Sequence, residues 1–261
     1  MNTLKQKLCQ LKLATTAQEL EDLFQQASSR NLSAAELLDL LCDRELAGRL
    51  RHTIERRFRS SRLGSQPTID QFNFNHDKSR QKAKNALLRL LDLEFIGQGA
   101  NLVLIGNPGT GKTFLAKIFG WRACQARHQV LFTTAMDMLN QLLAAQVDHS
   151  LVRKLKTYTE PDIWIADELG YLSLDQQSSN FLFQVISTRY SQKHSTILTT
   201  NTAFSDWGKI LYNTTHCHGD RRPARRKFSW FPACRPQRPP HVEKGPSSRP
   251  LLIQATSGAA L

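Results

Sequence analysis

Eight residues in the middle of the chain, Gly106 to Thr113, constrain its fold more than any other stretch, because they read G-x-x-x-x-G-K-T without interruption. A short apolar run at 102–105 precedes them, and residues 114–127 are long enough and suitably patterned for a helix. Strand, glycine-rich loop and helix, in that order, are the setting of a phosphate-binding loop. The predicted loop comprises Gly106, Asn107, Pro108, Gly109, Thr110, Gly111, Lys112 and Thr113.

Each part of such a loop has a chemical task. Backbone N–H groups of the glycine-rich segment and the positive end of the following helix attract phosphate oxygens. We expect Lys112 to reach the β- and γ-phosphates and the Thr113 hydroxyl to bind Mg²⁺. A turn that merely joins a strand to a helix would not need Lys-Thr after its last glycine. The loop therefore predicts ATP and Mg²⁺ as cofactors.

A second group of polar residues follows the apolar run at 163–166, where Asp167 and Glu168 stand side by side. Ligands of open α/β sheets bind at the carboxyl ends of the strands. Asp167 is predicted to hold Mg²⁺, directly or through water, and Glu168 to polarise the water that attacks the γ-phosphate. An apolar run ending in Asp-Glu also occurs where a strand leaves the core, so its place downstream of the loop supports the functional interpretation.

Regular alternation of elements predicts the fold class. Apolar strands at 101–105, 130–133, 163–166 and 196–200 alternate with helical patterns, which indicates an α/β P-loop NTPase with a parallel sheet flanked by helices. A small all-helical domain precedes it, and Gly64 to Pro67 marks the linker. We predict a helical domain at 1–66, an ATP-binding domain at 67–215, and a basic, proline-rich, disordered tail at 216–261.

The helical domain has two recognisable features. Ser33-Ala34-Ala35-Glu36 is a capping box that predicts a helix start. Leu46, Leu50, Ile54 and Phe58 recur every four residues and predict one apolar face. Six arginines between or beside them are candidates for contacts to DNA phosphates, or alternatively form a solvated face partly neutralised by acidic neighbours. They are Arg49, Arg51, Arg56, Arg57, Arg59 and Arg62.

Composition excludes some classes of protein. No apolar run approaches the length of a membrane span and no secretory segment is present, so we expect a cytoplasmic protein without a membrane partner. Of the net charge of +13, seven charges fall in the last 46 residues, which leaves a moderately basic body. The five cysteines form no C-x-x-C pair, and the irregular His and Cys residues after Thr215 do not have zinc-site spacing.

These motifs together resemble a known family. The phosphate loop, the Asp-Glu strand end with Leu169-Gly170-Tyr171 after it, Thr199-Thr200-Asn201 and Phe204 to Gly208 are similar to the IstB-like helper ATPases of bacterial insertion sequences. Those proteins are relatives of the DnaC helicase loader in the AAA+ class. The resemblance runs from about Leu11 to Thr215.

The resemblance implies a function and several residue roles. It implies an ATP-dependent protein that forms a homo-oligomer on double-stranded DNA and assists the transposase of the same insertion sequence. It also implies that Asn201, which alone is typical of a turn, is a sensor of the γ-phosphate or its water. The same residues would serve two other functions: a hydrolysis-deficient scaffold that binds nucleotide and DNA, or a DnaC-like helicase loader. A small-molecule kinase fits poorly, because the α/β body has no arginine-rich lid.

The chain departs from the family pattern after about Thr215. The family continues with a helix containing an A-D-R-L-like stretch, whose arginine acts on a neighbour's ATP, and then a final strand. Here seven of the ten prolines follow Thr215, so we expect neither element and an uncovered sheet edge. A permitted set of codons for 216–229, read one nucleotide later, spells I-A-T-A-I-A-D-R-L-V-E-N-S, which leads to the hypothesis of a frameshift. Only Arg189, Arg221 and Arg222 remain as substitutes for that arginine.

Overall fold

The computed structural model describes residues 2–76, 78–170, 174–203, Trp207 and 251–255. Short 3₁₀ turns lie at Ile69–Gln71, Phe74–His76 and Leu90–Asp92. The longer elements are α1 (Asn2–Gln10), α2 (Ala14–Ser29), α3 (Ala34–Ser61), α4 (Lys78–Arg89), α5 (Glu94–Gly97), β1 (Leu102–Gly106), α6 (Lys112–Gln125), β2 (Val130–Thr134), α7 (Ala135–Val147), α8 (Leu151–Thr159), β3 (Ile163–Leu169), α9 (Gln176–Ser191), β4 (Ser195–Thr200) and β5 (Leu251–Ala255). This alternation confirms the predicted α/β class.

The strands form one parallel sheet in the order β2-β3-β4-β1-β5. Side chains alternate between its two faces, so Leu102 and Leu104 of β1 join one core cluster and Val103 and Ile105 join the other. Helix α6 covers the first face, whereas α7 and α9 cover the second. Because both faces are covered, β1 and β3 contain continuous apolar runs at Leu102–Ile105 and Ile163–Ala166, which explains why the sequence predicted these strands correctly.

Strand β5 corrects one expectation. The proline-rich segment after Thr215 was expected to leave the sheet edge uncovered, but Leu251–Ala255 pairs with β1 in parallel, from Leu102 with Leu251 to Gly106 with Ala255. These five residues contain no proline, so each can contribute to the hydrogen-bond ladder, and pairing satisfies backbone groups of β1 that an open edge would leave free. Residues 216–250 and 256–261 of the predicted tail lie outside the described residues.

The chain divides into two compact units, Met1–Arg56 and Arg57–Leu261. The division falls earlier in the chain than the predicted boundary at residue 66, because Phe58 and Leu63 belong to the core of the second unit. The ring of Phe58 lies edge-on to Trp121, with 5.3 Å between the ring centroids. In the described part of the chain no helix is long and apolar enough to cross a membrane.

The start of α3 is the predicted capping box. The Ser33 N–H donates to the Glu36 carboxylate at 2.7 Å, and the Glu36 N–H donates to Ser33 Oγ at 3.3 Å. These bonds satisfy backbone donors that a helix start leaves free. The helix that follows runs to Ser61 over 28 residues.

The apolar face predicted for α3 is wrong at the first two of its four positions, since Leu46 and Leu50 are 64% and 44% exposed. Within the first unit, α3 instead buries Glu45 and approaches α2 closely at Gly48. The Glu45 carboxylate accepts a hydrogen bond from the Thr16 N–H at 3.0 Å, so its burial satisfies the start of α2. A buried acidic residue and a close approach at glycine do not follow a hydrophobic period.

Candidate nucleotide-binding site

The predicted phosphate loop joins the end of β1 to the start of α6. Gly109 and Gly111 have φ values of 78° and 80°, a left-handed conformation that glycine adopts without strain. A cavity of about 310 Å³ opens beside the loop. Its lining comprises Pro108, Gly109, Gly111, Lys112, Thr113, Phe114, Glu168, Thr199, Thr200 and Asn201. The structure thus brings the loop and the ends of β3 and β4 around one cavity.

Lys112 is held against the loop. Its Nζ donates to the carbonyl oxygens of Gly106 at 2.8 Å and Asn107 at 2.9 Å. Burial lowers the pKa of Lys112, because desolvation disfavours the ammonium, while Asp167 and Glu168 oppose this shift through their charges. A partly desolvated cation at the rim of a glycine-rich loop is suited to bind a phosphate anion.

Thr113 and Asp167, the residues predicted to hold Mg²⁺, lie in direct contact. Thr113 Oγ1 donates to Asp167 Oδ1 at 2.9 Å, and the Asp167 side chain is buried. A hydroxyl and a carboxylate are the oxygen ligands that Mg²⁺ prefers, together with water and substrate phosphates. The donor set therefore fits Mg²⁺.

Thr199 links the two acidic residues, a role that the sequence pattern did not predict although Thr199 belongs to the Thr199-Thr200-Asn201 motif. Its hydroxyl donates to Asp167 Oδ1 and accepts the Glu168 N–H at 2.9 Å. The side chain is 1% exposed. A threonine in a strand whose neighbours are buried is the signal that could have identified it, because a buried hydroxyl requires hydrogen-bond partners.

Glu168 has an unusual backbone. Its φ is 60°, in the left-handed region that non-glycine residues seldom adopt, and the pairing of β3 with β4 shifts register between Ala166 and Leu169. This irregularity places the exposed Glu168 in the cavity lining while Asp167 stays buried. Two adjacent carboxylates thereby occupy different environments.

Asn201 follows β4 and also lines the cavity. Its Oδ1 accepts a hydrogen bond from the Thr202 hydroxyl at 3.1 Å. Thr202 also accepts the Trp207 indole N–H through its backbone carbonyl at 3.2 Å. The residues predicted as the sensor and the hydrolytic carboxylate therefore border the same space.

The structure distinguishes among the six arginines proposed for DNA contacts. Arg49 is engaged within the first unit, since Nε donates to Glu45 at 2.9 Å and Nη2 donates to the Lys12 carbonyl at 2.9 Å. Arg51 Nη2 lies 3.9 Å from Glu19 Oε1. Arg57 is half-buried, whereas the other five, Arg49 and Arg51 included, are exposed.

Arg189, one candidate for an arginine that acts on a neighbour's nucleotide, is only 1% exposed. Its Nη1 donates to the carbonyls of Tyr158 at 2.8 Å and Pro161 at 2.9 Å, and its Nε donates to Thr196 Oγ1 at 3.0 Å. Burial lowers its pKa to about 9, which leaves the guanidinium protonated at neutral pH. Arg189 is thus committed to the interior, while Arg221 and Arg222 lie outside the described residues.

The fold and this cavity define a P-loop NTPase. A family model for the IstB-like ATP-binding protein matches residues 6–218, and the chain belongs to that family. This confirms the resemblance seen in the motifs. The match ends close to Thr215, where the family pattern was expected to stop.

Relatives and a solved structure agree with this assignment. A protein of Geobacillus stearothermophilus, named for insertion sequence IS5376 and for ATP binding, is 36% identical over 77% of this chain and 79% of that protein. A Pseudomonas aeruginosa protein, named for insertion sequence IS21 and for ATP binding, is 32% identical over 81% of this chain and 78% of that protein. The crystal structure of the DnaC helicase loader matches with a TM-score of 0.50 and 21% identity, over 60% of this chain and 90% of that chain, which supports the fold.

Proposed function

We propose that this chain is an ATP-dependent, DNA-binding helper protein of transposition that regulates a partner transposase. One observation carries the nucleotide part: the Thr113–Asp167 hydrogen bond lies beside the phosphate loop, and Glu168 and Asn201 line the same cavity. Loop, metal ligands and hydrolytic carboxylate are the components that P-loop enzymes use on ATP.

Binding of ATP depends on the loop and on Mg²⁺. Backbone N–H groups of the loop and the Lys112 ammonium would hold the phosphates. Thr113 and Asp167 would hold Mg²⁺, which neutralises charge on the β- and γ-phosphates. Thr199 keeps the Asp167 carboxylate oriented through its hydroxyl.

Hydrolysis of ATP to ADP and phosphate depends on Glu168 and Asn201. The exposed Glu168 carboxylate would accept a hydrogen bond from the attacking water and orient it toward the γ-phosphate. Asn201 would contact the γ-phosphate or that water with its neutral amide. Because the Glu168 backbone is fixed by Thr199, the carboxylate begins from a defined position.

Duplex DNA is the second ligand. The exposed side chains of Arg56, Arg59 and Arg62 are suited to phosphate contacts that do not read sequence. The names of the two relatives place them in insertion sequences, which supports a transposase of the same element as the partner. We further propose a homo-oligomer on DNA, acting in the cytoplasm.

ATP turnover, measured with and without duplex DNA, tests this function. The unaltered chain is expected to release phosphate faster with DNA, whereas Glu168→Gln should bind ATP and release almost none. Gln keeps the size of Glu and one acceptor oxygen, but its neutral amide is a poor base. Glu160→Gln is the matched control, since Glu160 terminates α8 and is absent from the cavity lining. Turnover that persists in Glu168→Gln would contradict the assignment.

A nucleotide-binding DNA scaffold without turnover is the second candidate. The burial of Arg189 favours it, because that side chain has no access to a neighbour's ATP. An arginine acting in this way typically raises phosphoryl-transfer rates by about 10³–10⁵-fold. ATP and DNA binding without phosphate release by the unaltered chain would support the scaffold over the ATPase.

A further inference from the structure

The segment that leads into α4 packs directly on the phosphate loop. Phe72, between two 3₁₀ turns, is buried in the core of the second unit. A Cβ added to Gly111 would lie 2.8 Å from Phe72 Cε2 and 3.3 Å from Arg80 Nη2. Phe72 and Arg80 therefore occupy the space beside the loop that a side chain at this position would need.

Arg80 connects this segment to the loop through both ends of its guanidinium group. Nη2 donates to the Gly109 carbonyl at 3.2 Å, and Nη1 donates to the Asn73 carbonyl at 3.1 Å. The guanidinium carbon lies 4.8 Å from the centroid of the Phe72 ring. Only the planar fork of arginine donates in two directions while it stacks on an aromatic face.

The bond to Gly109 has a consequence for phosphate binding. The C=O and N–H of a trans peptide point in opposite directions, so an anchored Gly109 oxygen fixes the plane of the peptide that joins Gly109 to Thr110. The loop binds anions through the directions of its N–H groups. Within the loop the Thr110 N–H donates to the Asn107 carbonyl at 3.3 Å, and Arg80 adds a second hold on the same peptide from outside the loop. An external anchor reduces the ordering that the nucleotide would otherwise have to impose.

Phe72 extends the contact to the cavity wall. Its ring is stacked with that of Phe114, at 6.4 Å between centroids and 19° between planes. Phe114 follows Thr113 and lines the cavity. The contact series from Arg80 through Phe72 to Phe114 therefore flanks the loop on the side where α6 begins.

We propose that Arg80 is a positioning residue for the phosphate loop, which it holds ready for nucleotide through Gly109 with Phe72 as its platform. This inference rests on the proposed ATP binding. It predicts that part of the affinity for ATP resides in a residue outside the cavity lining and outside the G-x-x-x-x-G-K-T motif.

The test compares the ATP dissociation constants of Arg80→Gln, Arg80→Lys and Arg89→Gln with that of the unaltered chain, by calorimetric titration with Mg²⁺. Arg89 is an exposed residue of the same helix and serves as the matched control. Arg80→Gln is expected to raise the ATP Kd about tenfold or more, because a charge-assisted hydrogen bond to the loop is lost. Arg80→Lys keeps the positive charge but not the planar guanidinium, so its ATP Kd should lie between those of the unaltered chain and Arg80→Gln.

Thermal unfolding without nucleotide distinguishes positioning from simple stability. If Arg80→Gln is less stable but binds ATP with an unchanged Kd, the residue is structural only and the inference is overturned. If Arg80→Gln does not fold, the same comparison of ATP Kd and thermal stability is made with Arg80→Lys, and an unchanged Kd in that variant overturns the inference. Absence of ATP binding by the unaltered chain and by Arg89→Gln would overturn the proposed function itself, together with the inference that depends on it.

Discussion

Thr199→Val removes the hydroxyl that joins Asp167 to Glu168 and keeps nearly the same side-chain volume. The lost bonds are the donation to the buried Asp167 carboxylate and the acceptance of the Glu168 N–H. A hydrogen bond to a charged group contributes about 1.5–3 kcal/mol. Since about 1.4 kcal/mol corresponds to a tenfold change in rate, we expect ATP turnover to fall roughly 10- to 100-fold. The ATP Kd should rise by a smaller factor than turnover falls, because Lys112 keeps its contacts with the loop whereas Asp167 loses the hydroxyl that orients it as a Mg²⁺ ligand.

Two further variants make this comparison decisive. Thr199→Ser restores the hydroxyl and should restore most of the turnover. Thr133→Val removes a buried hydroxyl that accepts the Trp164 indole N–H at 3.0 Å, away from the cavity. It should lower the free energy of unfolding by about 1–3 kcal/mol and leave turnover unchanged. Unchanged turnover in Thr199→Val, or an equal loss in Thr133→Val, would refute the role assigned to Thr199.

Two other predictions concern the first unit. In Gly48→Ala the new methyl group would meet Thr15 Oγ1 at 2.1 Å, so we expect a loss of about 1–3 kcal/mol in the free energy of unfolding measured in urea. A methyl group at Gly97 meets nothing within 4 Å, so Gly97→Ala should leave the free energy of unfolding unchanged or raise it. An equal change in the free energy of unfolding for Gly48→Ala and Gly97→Ala would contradict the packing of α2 on α3. Arg56→Gln should weaken duplex DNA binding and lower the slope of log K against log salt by about 1, whereas Arg30→Gln, on the exposed C-terminal cap of α2, should not.

The parallel sheet and the phosphate loop could be predicted because their sequence signals are local. Strands buried on both faces require continuous apolar runs, and the loop requires glycine where φ is positive, as at Gly109 and Gly111. The Asp-Glu pair follows one of those runs, so its position at the sheet edge follows from the strand assignment. Each of these inferences depends on residues close together in the chain.

Features that depend on distant partners could not be predicted in this way. Glu45 is buried because it caps α2, which a hydrophobic period cannot indicate. The register shift near Glu168 and the anchoring of Gly109 by Arg80 depend on contacts between separate elements. Strand β5 forms after a proline-rich stretch because the edge of β1 offers backbone partners, although the composition around it favours disorder.

The frameshift stays our hypothesis for why the sequence departs from the family pattern after Thr215. The family match ends at residue 218, and a frameshift would account for the proline-rich sequence that follows. Determination of the codons for 216–229 is the corresponding measurement. Codons that cannot encode I-A-T-A-I-A-D-R-L-V-E-N-S one nucleotide later would exclude the frameshift.

Calorimetric titration of ATP into the unaltered chain, Lys112→Ala and Lys117→Ala tests directly whether the loop is an ATP–Mg²⁺ site. Lys117 lies on the same helix over the Phe132 ring, 4.9 Å from its centroid, and does not line the cavity. We expect Mg²⁺-dependent saturable binding to the unaltered chain and to Lys117→Ala. In Lys112→Ala binding should be lost or at least tenfold weaker, roughly the effect of one charge-assisted contact. Equal affinity of all three proteins, or no binding by the unaltered chain, would contradict that prediction.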